Sequence, residues 1–101
     1  MSMTRSTSKG VALVTGAANG IGKGIALRLA ADGFDVPVND VESNLAELEA
    51  LARELRSVGR RTATVVADVS NGPFAFTHSR RHYRFESARR LPYFVLRREA
   101  T

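Results

Sequence analysis

The sequence contains no cysteine, so it has neither a disulfide framework nor a thiolate metal site. No apolar run approaches the roughly 20 residues that a helix needs to cross a bilayer, which argues against a membrane protein. The first ten residues include two basic residues but no apolar core of the kind found in signal peptides. With 101 residues, the chain is expected to be one small cytoplasmic domain at most, with residues 1–9 as a flexible lead-in.

Lysine is absent and acidic residues are scarce in the last third of the chain. Residues 1–70 contain eight Lys or Arg and eight Asp or Glu, whose charges cancel. Residues 71–101 contain seven Arg and two Glu, so the whole formal net charge of +5 lies there. The same segment holds both His, both Tyr and four of the five Phe. The chain is therefore divided into a segment of balanced charge and a basic, aromatic tail.

Three glycines between Thr15 and Gly22 are the most informative feature of the sequence. They follow the apolar run Val11–Val14 and open a helical pattern that extends to Asp32. A strand that turns at glycines into a helix is typical of a dinucleotide-binding site. The unpaired N–H groups and partial positive charge at the helix start suit a phosphate group.

Each glycine of this turn has a separate expected role. Gly16 allows a tight turn with unusual backbone angles, because it has no Cβ to restrict them. Gly20 lets a pyrophosphate approach the main chain, and Gly22 lets the helix pack close to the strand.

The hydrophobic periodicity predicts an α/β fold in the order βαβαβ, a partial Rossmann fold with a doubly wound parallel sheet. Strands are expected over residues 11–15, 34–39 and 61–67, and helices from the glycine turn to residue 32 and over residues 43–58. Right-handed crossovers predict the sheet order 3-2-1 with both helices on one face. Asn44 and Glu47 have the spacing of a capping box for the second helix. Pro37 predicts a local distortion of the central strand, because proline cannot donate to the ladder.

Asp40 is the second sign of a dinucleotide site. It ends the second strand 18 residues after Gly22, close to the spacing of about 20 expected for the acid that binds the adenosine ribose hydroxyls. A 2′-phosphate at ~4 Å would be repelled by about 4 kcal/mol at an effective dielectric of ~20. The next residues, Val41 and Glu42, bring no positive charge. NAD is therefore favoured over NADP, and the alternative for Asp40 is a solvated turn or helix-capping role.

The pattern Thr-Gly-x-x-x-Gly-Ile-Gly resembles the cofactor motif of the short-chain dehydrogenase/reductase family. The resemblance extends over residues 10–71 and is closest in wording to diacetyl/acetoin reductases, also called butanediol dehydrogenases. The stretches that carry it are residues 11–16, 32–36, 38–41 and 65–70. The resemblance implies an oxidoreductase that transfers hydride between NAD(H) and a small hydroxy-ketone or alcohol, such as acetoin or diacetyl.

The resemblance also implies a set of cofactor-binding residues. These are Gly16, Asn19, Gly20, Ile21, Gly22, Asp40, Asp68 and Val69. In the family, an Asp-Val pair after the third strand holds the adenine ring, through the carboxylate and the following backbone N–H. Without the resemblance this dipeptide would mean little, and helix capping would be the better interpretation of Asp68.

The resemblance ends near Asn71, before the family's catalytic Ser and Tyr-x-x-x-Lys pair. Tyr83 is followed four residues later by Ser87, and Tyr93 by Arg97, so neither tyrosine has the required lysine. No catalytic residue is therefore predicted, and the chain is expected to be inactive alone. His78 and His82 have helical metal-ligand spacing, but no third ligand is spaced to join them.

Residues 72–101 form an Arg-rich tail, expected to be poorly ordered or non-native, as a frameshift or truncation would produce. The alternative is a non-enzymatic nucleotide- or nucleic-acid-binding protein that uses basic and aromatic residues of the tail. Without further strands, the first strand would be an exposed edge and one sheet face would be uncovered. Low stability or self-association is therefore expected, unless tail residues cover that face, for example Phe74, Phe76, Phe94 and Leu96.

Overall fold

The structure, a computed structural model, describes residues 8–68, 74–78, 80–85 and 93–96. The first part of the chain forms β1 (Val11–Val14), α1 (Gly20–Ala31), β2 (Val38–Asp40), a 3-10 turn (Glu42–Asn44), α2 (Leu45–Ser57) and β3 (Thr64–Val66). The tail forms β4 (Phe74–His78), β5 (Arg81–Phe85) and β6 (Tyr93–Leu96). One sheet has the order β3-β2-β1-β6, and β4 and β5 form a separate hairpin.

Strands β1, β2 and β3 are parallel, so the predicted βαβαβ fold and the order 3-2-1 are confirmed. Alternate strand residues and both helices share one apolar cluster, which places both helices on the same sheet face. Its fully buried members include Val14, Val36 and Val38 from the sheet region, Ala26 from α1, and Leu48, Leu51 and Leu55 from α2. In the described part of the chain, neither helix is both long and apolar enough to span a membrane.

Pro37 shortens β2 without breaking its pairing to β1. The Ala12 N–H donates to the Asp35 carbonyl at 2.9 Å, and the Val14 N–H donates to the Pro37 carbonyl at 3.1 Å. In this register, the missing proline donor is the one that would face the Ala12 carbonyl. The loss is one hydrogen bond, worth about 1 kcal/mol. β2 begins only at Val38, and the distortion expected beside Asp40 stays a prediction.

The outer edge of β1 differs from the sequence-based expectation. β6 pairs with it in an antiparallel register, with Leu13 opposite Phe94 and Val11 opposite Leu96. An apolar strand with unpaired N–H and C=O groups is a template for another extended segment. Aromatic and β-branched residues of the kind found in Tyr93–Leu96 favour strands. The tail thus supplies a fourth strand that local patterns did not predict.

The sheet face opposite the helices is also covered. Leu13, Pro37 and Asn39 alternate with the residues of the helix-side cluster, and their side chains are fully buried. The sequence predicted that this face of a three-stranded fragment would be uncovered unless residues of the tail packed on it. The burial of these three residues shows that the chain covers this face itself.

The register of β6 provides a test of its role as an edge strand. Because the N–H groups of Ala12 and Val14 donate to the β2 side, the backbone of Leu13 faces β6. Phe94, opposite Leu13, therefore directs its backbone N–H toward β1, whereas Val95 directs its own N–H away. Phe94→Pro is expected to destabilise the fold by about 1–3 kcal/mol and to expose the β1 edge.

Light scattering after size-exclusion chromatography would detect the resulting concentration-dependent self-association. Val95→Pro is the matched control, since proline at an outward-facing edge position removes no ladder donor. If the two variants had the same mass and the same melting temperature, β6 would not protect the edge.

Candidate functional site

The turn after β1 requires glycine at two positions because of its backbone angles. Gly16 has φ of 61° and Gly20 has φ of 62°, both in the left-handed region. A Cβ built at either position meets nothing within 4 Å. The requirement is therefore conformational, and the space above both residues is open, as a ligand that approaches the main chain would need.

Gly22 is required for a different reason. A Cβ at this position would overlap the carbonyl oxygen of Gly16 and lie 2.9 Å from its carbonyl carbon. The first turn of α1 is therefore packed directly against the backbone of the glycine turn. This contact explains the expected close approach of helix and strand.

The start of α1 carries no negative charge of its own. Its first turn has no acidic residue, and the N-terminal capping residue Asn19 makes no side-chain capping hydrogen bond. Asn19 and Gly20 are exposed, and Ile21 is 82% exposed. The partial positive charge of the helix start thus lies at an open surface.

Two hydrogen bonds join the glycine turn to the end of β2. The Ala17 N–H donates to the Asn39 carbonyl at 2.8 Å, and the Ala18 N–H donates to Oδ2 of Asp40 at 3.0 Å. Asp40 and the glycine turn, 22 residues apart at this contact, therefore form one site.

Asp40 is held by two more donors. Its Oδ1 accepts from the Val41 N–H at 2.8 Å and from Nδ2 of Asn44 at 3.0 Å. Burial alone would raise the pKa of Asp40, but the bonds from Asn44, Ala18 and Val41 outweigh it and hold the pKa below its ordinary value. The carboxylate is therefore ionised at neutral pH.

The predicted capping box at Asn44 and Glu47 is wrong. Asn44 precedes α2, but its side chain makes no capping bond and binds Asp40 instead. A carboxylate is a stronger acceptor partner than most neutral groups, so the amide donates to it rather than supporting the helix end. The four-residue separation of Asp40 and Asn44 was the only sequence signal for this contact.

Asn39 ties β2 to the end of β3. Its buried Nδ2 donates to the carbonyls of Val65 at 2.8 Å and Ala67 at 3.1 Å. The Ala67 N–H in turn donates to the Asp40 carbonyl at 3.1 Å. Asp68, which follows directly and is exposed, is thereby placed at the same end of the parallel sheet as Asp40. Val69 lies outside the described residues.

A comparison with known protein families identifies the family of this chain. Residues 10–76 match the family of short chain dehydrogenases. The chain belongs to the short-chain dehydrogenase/reductase family.

Curated relatives match about 57–63% of the chain. The short-chain dehydrogenase/reductase eriH of Hericium erinaceus is 53% identical over 66 residues, which cover 63% of this chain and 26% of that protein. The 3-oxoacyl-[acyl-carrier-protein] reductase FabG of Aggregatibacter actinomycetemcomitans is 47% identical over 58 residues, covering 57% and 24%. The chain spans about a quarter of the length of these relatives.

Solved structures superpose on a similar share of the chain. A blue fluorescent protein from a metagenomic library, in complex with NADPH, has a TM-score of 0.60 and 42% identity over 63% of this chain and 26% of its own. Acetoin dehydrogenase from Enterobacter cloacae has a TM-score of 0.56 and 37% identity over 61% and 25%. These likenesses confirm the predicted family and the Rossmann-like fold.

Asp40→Asn tests the network within this short-chain dehydrogenase fold. The side-chain amide of the variant has only one oxygen that can accept, and its NH2 group would face one of the present donors. We therefore expect the free energy of unfolding to fall by about 1–3 kcal/mol at pH 7. Because the folded pKa of Asp40 lies below the unfolded value of about 3.9, its ionised form stabilises the fold above that pH. The stabilisation is lost as pH falls through the lowered folded value.

Urea unfolding of wild type and Asp40→Asn from pH 2 to pH 7 should show that their difference in free energy of unfolding becomes smaller at acidic pH. Asp32→Asn is the control, because Asp32 makes only an exposed ion pair with Arg28 among the described residues, worth a few tenths of a kcal/mol. A pH-independent difference between Asp40→Asn and wild type would contradict the role of the charge.

Proposed function

We propose that this chain is the cofactor-binding half of an oxidoreductase and that it binds NAD(H) in preference to NADP(H). The observation that carries this proposal is the 3.0 Å bond from the Ala18 N–H to Oδ2 of Asp40. It joins a glycine turn suited to a pyrophosphate and a carboxylate suited to a ribose diol. Two adjacent subsites of these types match the pyrophosphate and adenosine ribose of a dinucleotide.

Each part of the cofactor has its own proposed set of residues. The Gly16–Gly22 turn and the start of α1, whose first turn has no acidic residue, would hold the pyrophosphate through backbone N–H groups. Asp40 would accept from the adenosine ribose hydroxyls. Asp68 and Val69 would hold the adenine ring, as the family resemblance implies, with Asp68 at the neighbouring strand end.

The preference for NAD rests on the charge of Asp40. The lowered pKa of Asp40 keeps a full negative charge where the 2′-phosphate of NADP would lie. Several proteins of similar structure contain NADP or NADPH, so the support for NAD comes from this carboxylate alone. The next residues of this chain, Val41 and Glu42, supply no cation to offset it.

Bound NAD(H) would supply the chemistry of hydride transfer in the complete enzyme. We propose a small hydroxy-ketone or alcohol such as acetoin or diacetyl, supported by the resemblance and by the likeness to acetoin dehydrogenases. The sequence carries no Tyr-x-x-x-Lys pair, so no proton donor of that type would serve the substrate oxygen. The chain alone is therefore expected to bind cofactor without turnover. Its cytoplasmic location stays a prediction.

A fluorescence titration with NADH and NADPH tests the cofactor preference. We expect saturable NADH binding and at least tenfold weaker NADPH binding. A tenfold difference in affinity corresponds to about 1.4 kcal/mol, and the expected repulsion of the 2′-phosphate is larger, at ~4 kcal/mol. Asp40→Ala should narrow the difference, whereas Asp32→Asn, at the far end of α1, should not. Equal affinities in wild type would contradict the preference, and absence of saturable binding would contradict the function.

A second candidate is nucleic-acid binding by the tail, favoured by exposed Arg80, His82 and Arg84 on the β4–β5 hairpin. Its signature would be oligonucleotide affinity that falls steeply with salt, as phosphate contacts release counterions. NADH binding at the glycine turn would be unaffected by Arg84→Ala in either case. The two functions are therefore separable in one protein preparation.

A further inference from the structure

The Asp40 carboxylate is already close to saturated with hydrogen-bond donors. Oδ1 accepts from the Val41 N–H at 2.8 Å and from Asn44 Nδ2 at 3.0 Å, and Oδ2 accepts from the Ala18 N–H at 3.0 Å. A carboxylate offers about four lone-pair positions. Donors within the described residues therefore use three of them and leave one, on Oδ2.

A ribose diol brings two hydroxyl donors to this carboxylate. One hydroxyl can use the remaining position on Oδ2, but the second must replace a donor that is already bound. Ala18 and Val41 donate through backbone N–H groups, and the Val41 carbonyl is itself fixed by the Asn44 N–H at 3.0 Å. The Asn44 amide, in contrast, is a half-buried side chain that can rotate away.

We propose that the Asn44 side-chain amide is an internal stand-in for one ribose hydroxyl, which occupies Oδ1 of Asp40 and is displaced when the diol binds. The proposal rests on the proposed function, since it concerns the same ribose site. Under this proposal Asn44 does not help to hold the ligand. The amide stabilises the free protein and competes with the ligand.

The proposal predicts opposite changes in stability and affinity for Asn44→Ala. The melting temperature should fall by a few degrees, because a charge-assisted bond is lost. The affinity for ADP, which carries the ribose diol and the pyrophosphate, should rise about three- to tenfold, because no amide has to be displaced. A merely structural role would lower both quantities.

The deoxy form of the same ligand provides the sharpest comparison. 2′-Deoxy-ADP has one hydroxyl, which fits the remaining position on Oδ2 without displacing Asn44. Its dissociation constant, measured by calorimetry beside that of ADP, should therefore be the same in wild type and Asn44→Ala. Ser43→Ala, an exposed neighbour in the same 3-10 turn, is the control and should change neither stability nor affinity.

Three results would overturn the stand-in role. These are a weaker ADP affinity in Asn44→Ala, an equal gain for ADP and 2′-deoxy-ADP, and unchanged side-chain amide NMR signals of Asn44 when wild type is saturated with ADP. Failure of the proposed function has a different signature. Wild type would then not bind ADP, or Asp40→Ala would bind it as wild type does, and both proposals would fall together.

Discussion

Replacing Gly22 with alanine is expected to destabilise the protein by about 3 kcal/mol, at the upper end of overpacking effects. The added Cβ would overlap the carbonyl oxygen of Gly16. Because this atom belongs to the backbone of a turn held by hydrogen bonds to β2, no side-chain rotation can relieve the collision. A small domain with a total stability near 5 kcal/mol would lose more than half of it.

The matched control for this change is Gly24→Ala, two residues further along α1 and on the other side of the helix from the contact. A Cβ at Gly24 meets nothing within 4 Å, and alanine is the better helix former by about 0.8–1 kcal/mol. Chemical denaturation should therefore show one variant less stable and the other more stable than wild type. If both alanines were stabilising, the close packing of α1 on the glycine turn would be wrong.

Asn39→Asp is expected to lower the free energy of unfolding by about 3–5 kcal/mol at pH 7, because it leaves a buried charge without a partner. The amide nitrogen of Asn39 donates to the carbonyls of Val65 and Ala67, and the residue is 1% exposed. A carboxylate at this position would present a buried negative charge to two carbonyl oxygens and would have no proton to donate. The link from β2 to the end of β3 would be lost.

The cost of Asn39→Asp should depend on pH. Burial and the two carbonyls would raise the folded pKa of the new carboxyl above its unfolded value of about 3.9. The variant would therefore approach wild type in stability near pH 4 and fall further behind as pH rises. Asn19→Asp makes the same chemical change at the exposed start of α1, where negative charge is favourable. An equal, pH-independent loss in both variants would contradict the account.

The parallel part of the fold could be predicted because its signals are local. Apolar periodicity, the three glycines and the strand-ending position of Asp40 each depend on a few neighbouring residues. Right-handed crossover then fixes the strand order. The structure agrees with this part of the prediction from β1 to β3.

Contacts between distant residues could not be predicted in this way. The Asn44 spacing favoured a capping box, since the sequence does not show that a carboxylate lies within 3.0 Å of the amide. Asn39 gave no sign of its two bonds to β3, because they span 26 and 28 residues. The pairing of β6 with β1 is likewise a non-local event, set by an available sheet edge rather than by local patterns.

The antiparallel β6 bears on the meaning of the tail. Sequence patterns alone divided the chain at Asn71, yet Tyr93–Leu96 completes the sheet that holds the glycine turn. The edge of β1 and the start of the dinucleotide site belong to the same strand–turn unit. Any change that releases β6 should therefore affect both self-association and cofactor binding.

The most direct test of the central claim is a 1H–15N NMR titration of the full chain with NAD+. The account predicts saturable chemical-shift changes for the backbone amides of Gly16–Gly22 and of Val41. Little change is expected at Gly33 and Gly59, which lie after the C-terminal ends of the two helices. Absence of saturable shifts in the glycine turn, or shifts concentrated in the β4–β5 hairpin, would contradict it.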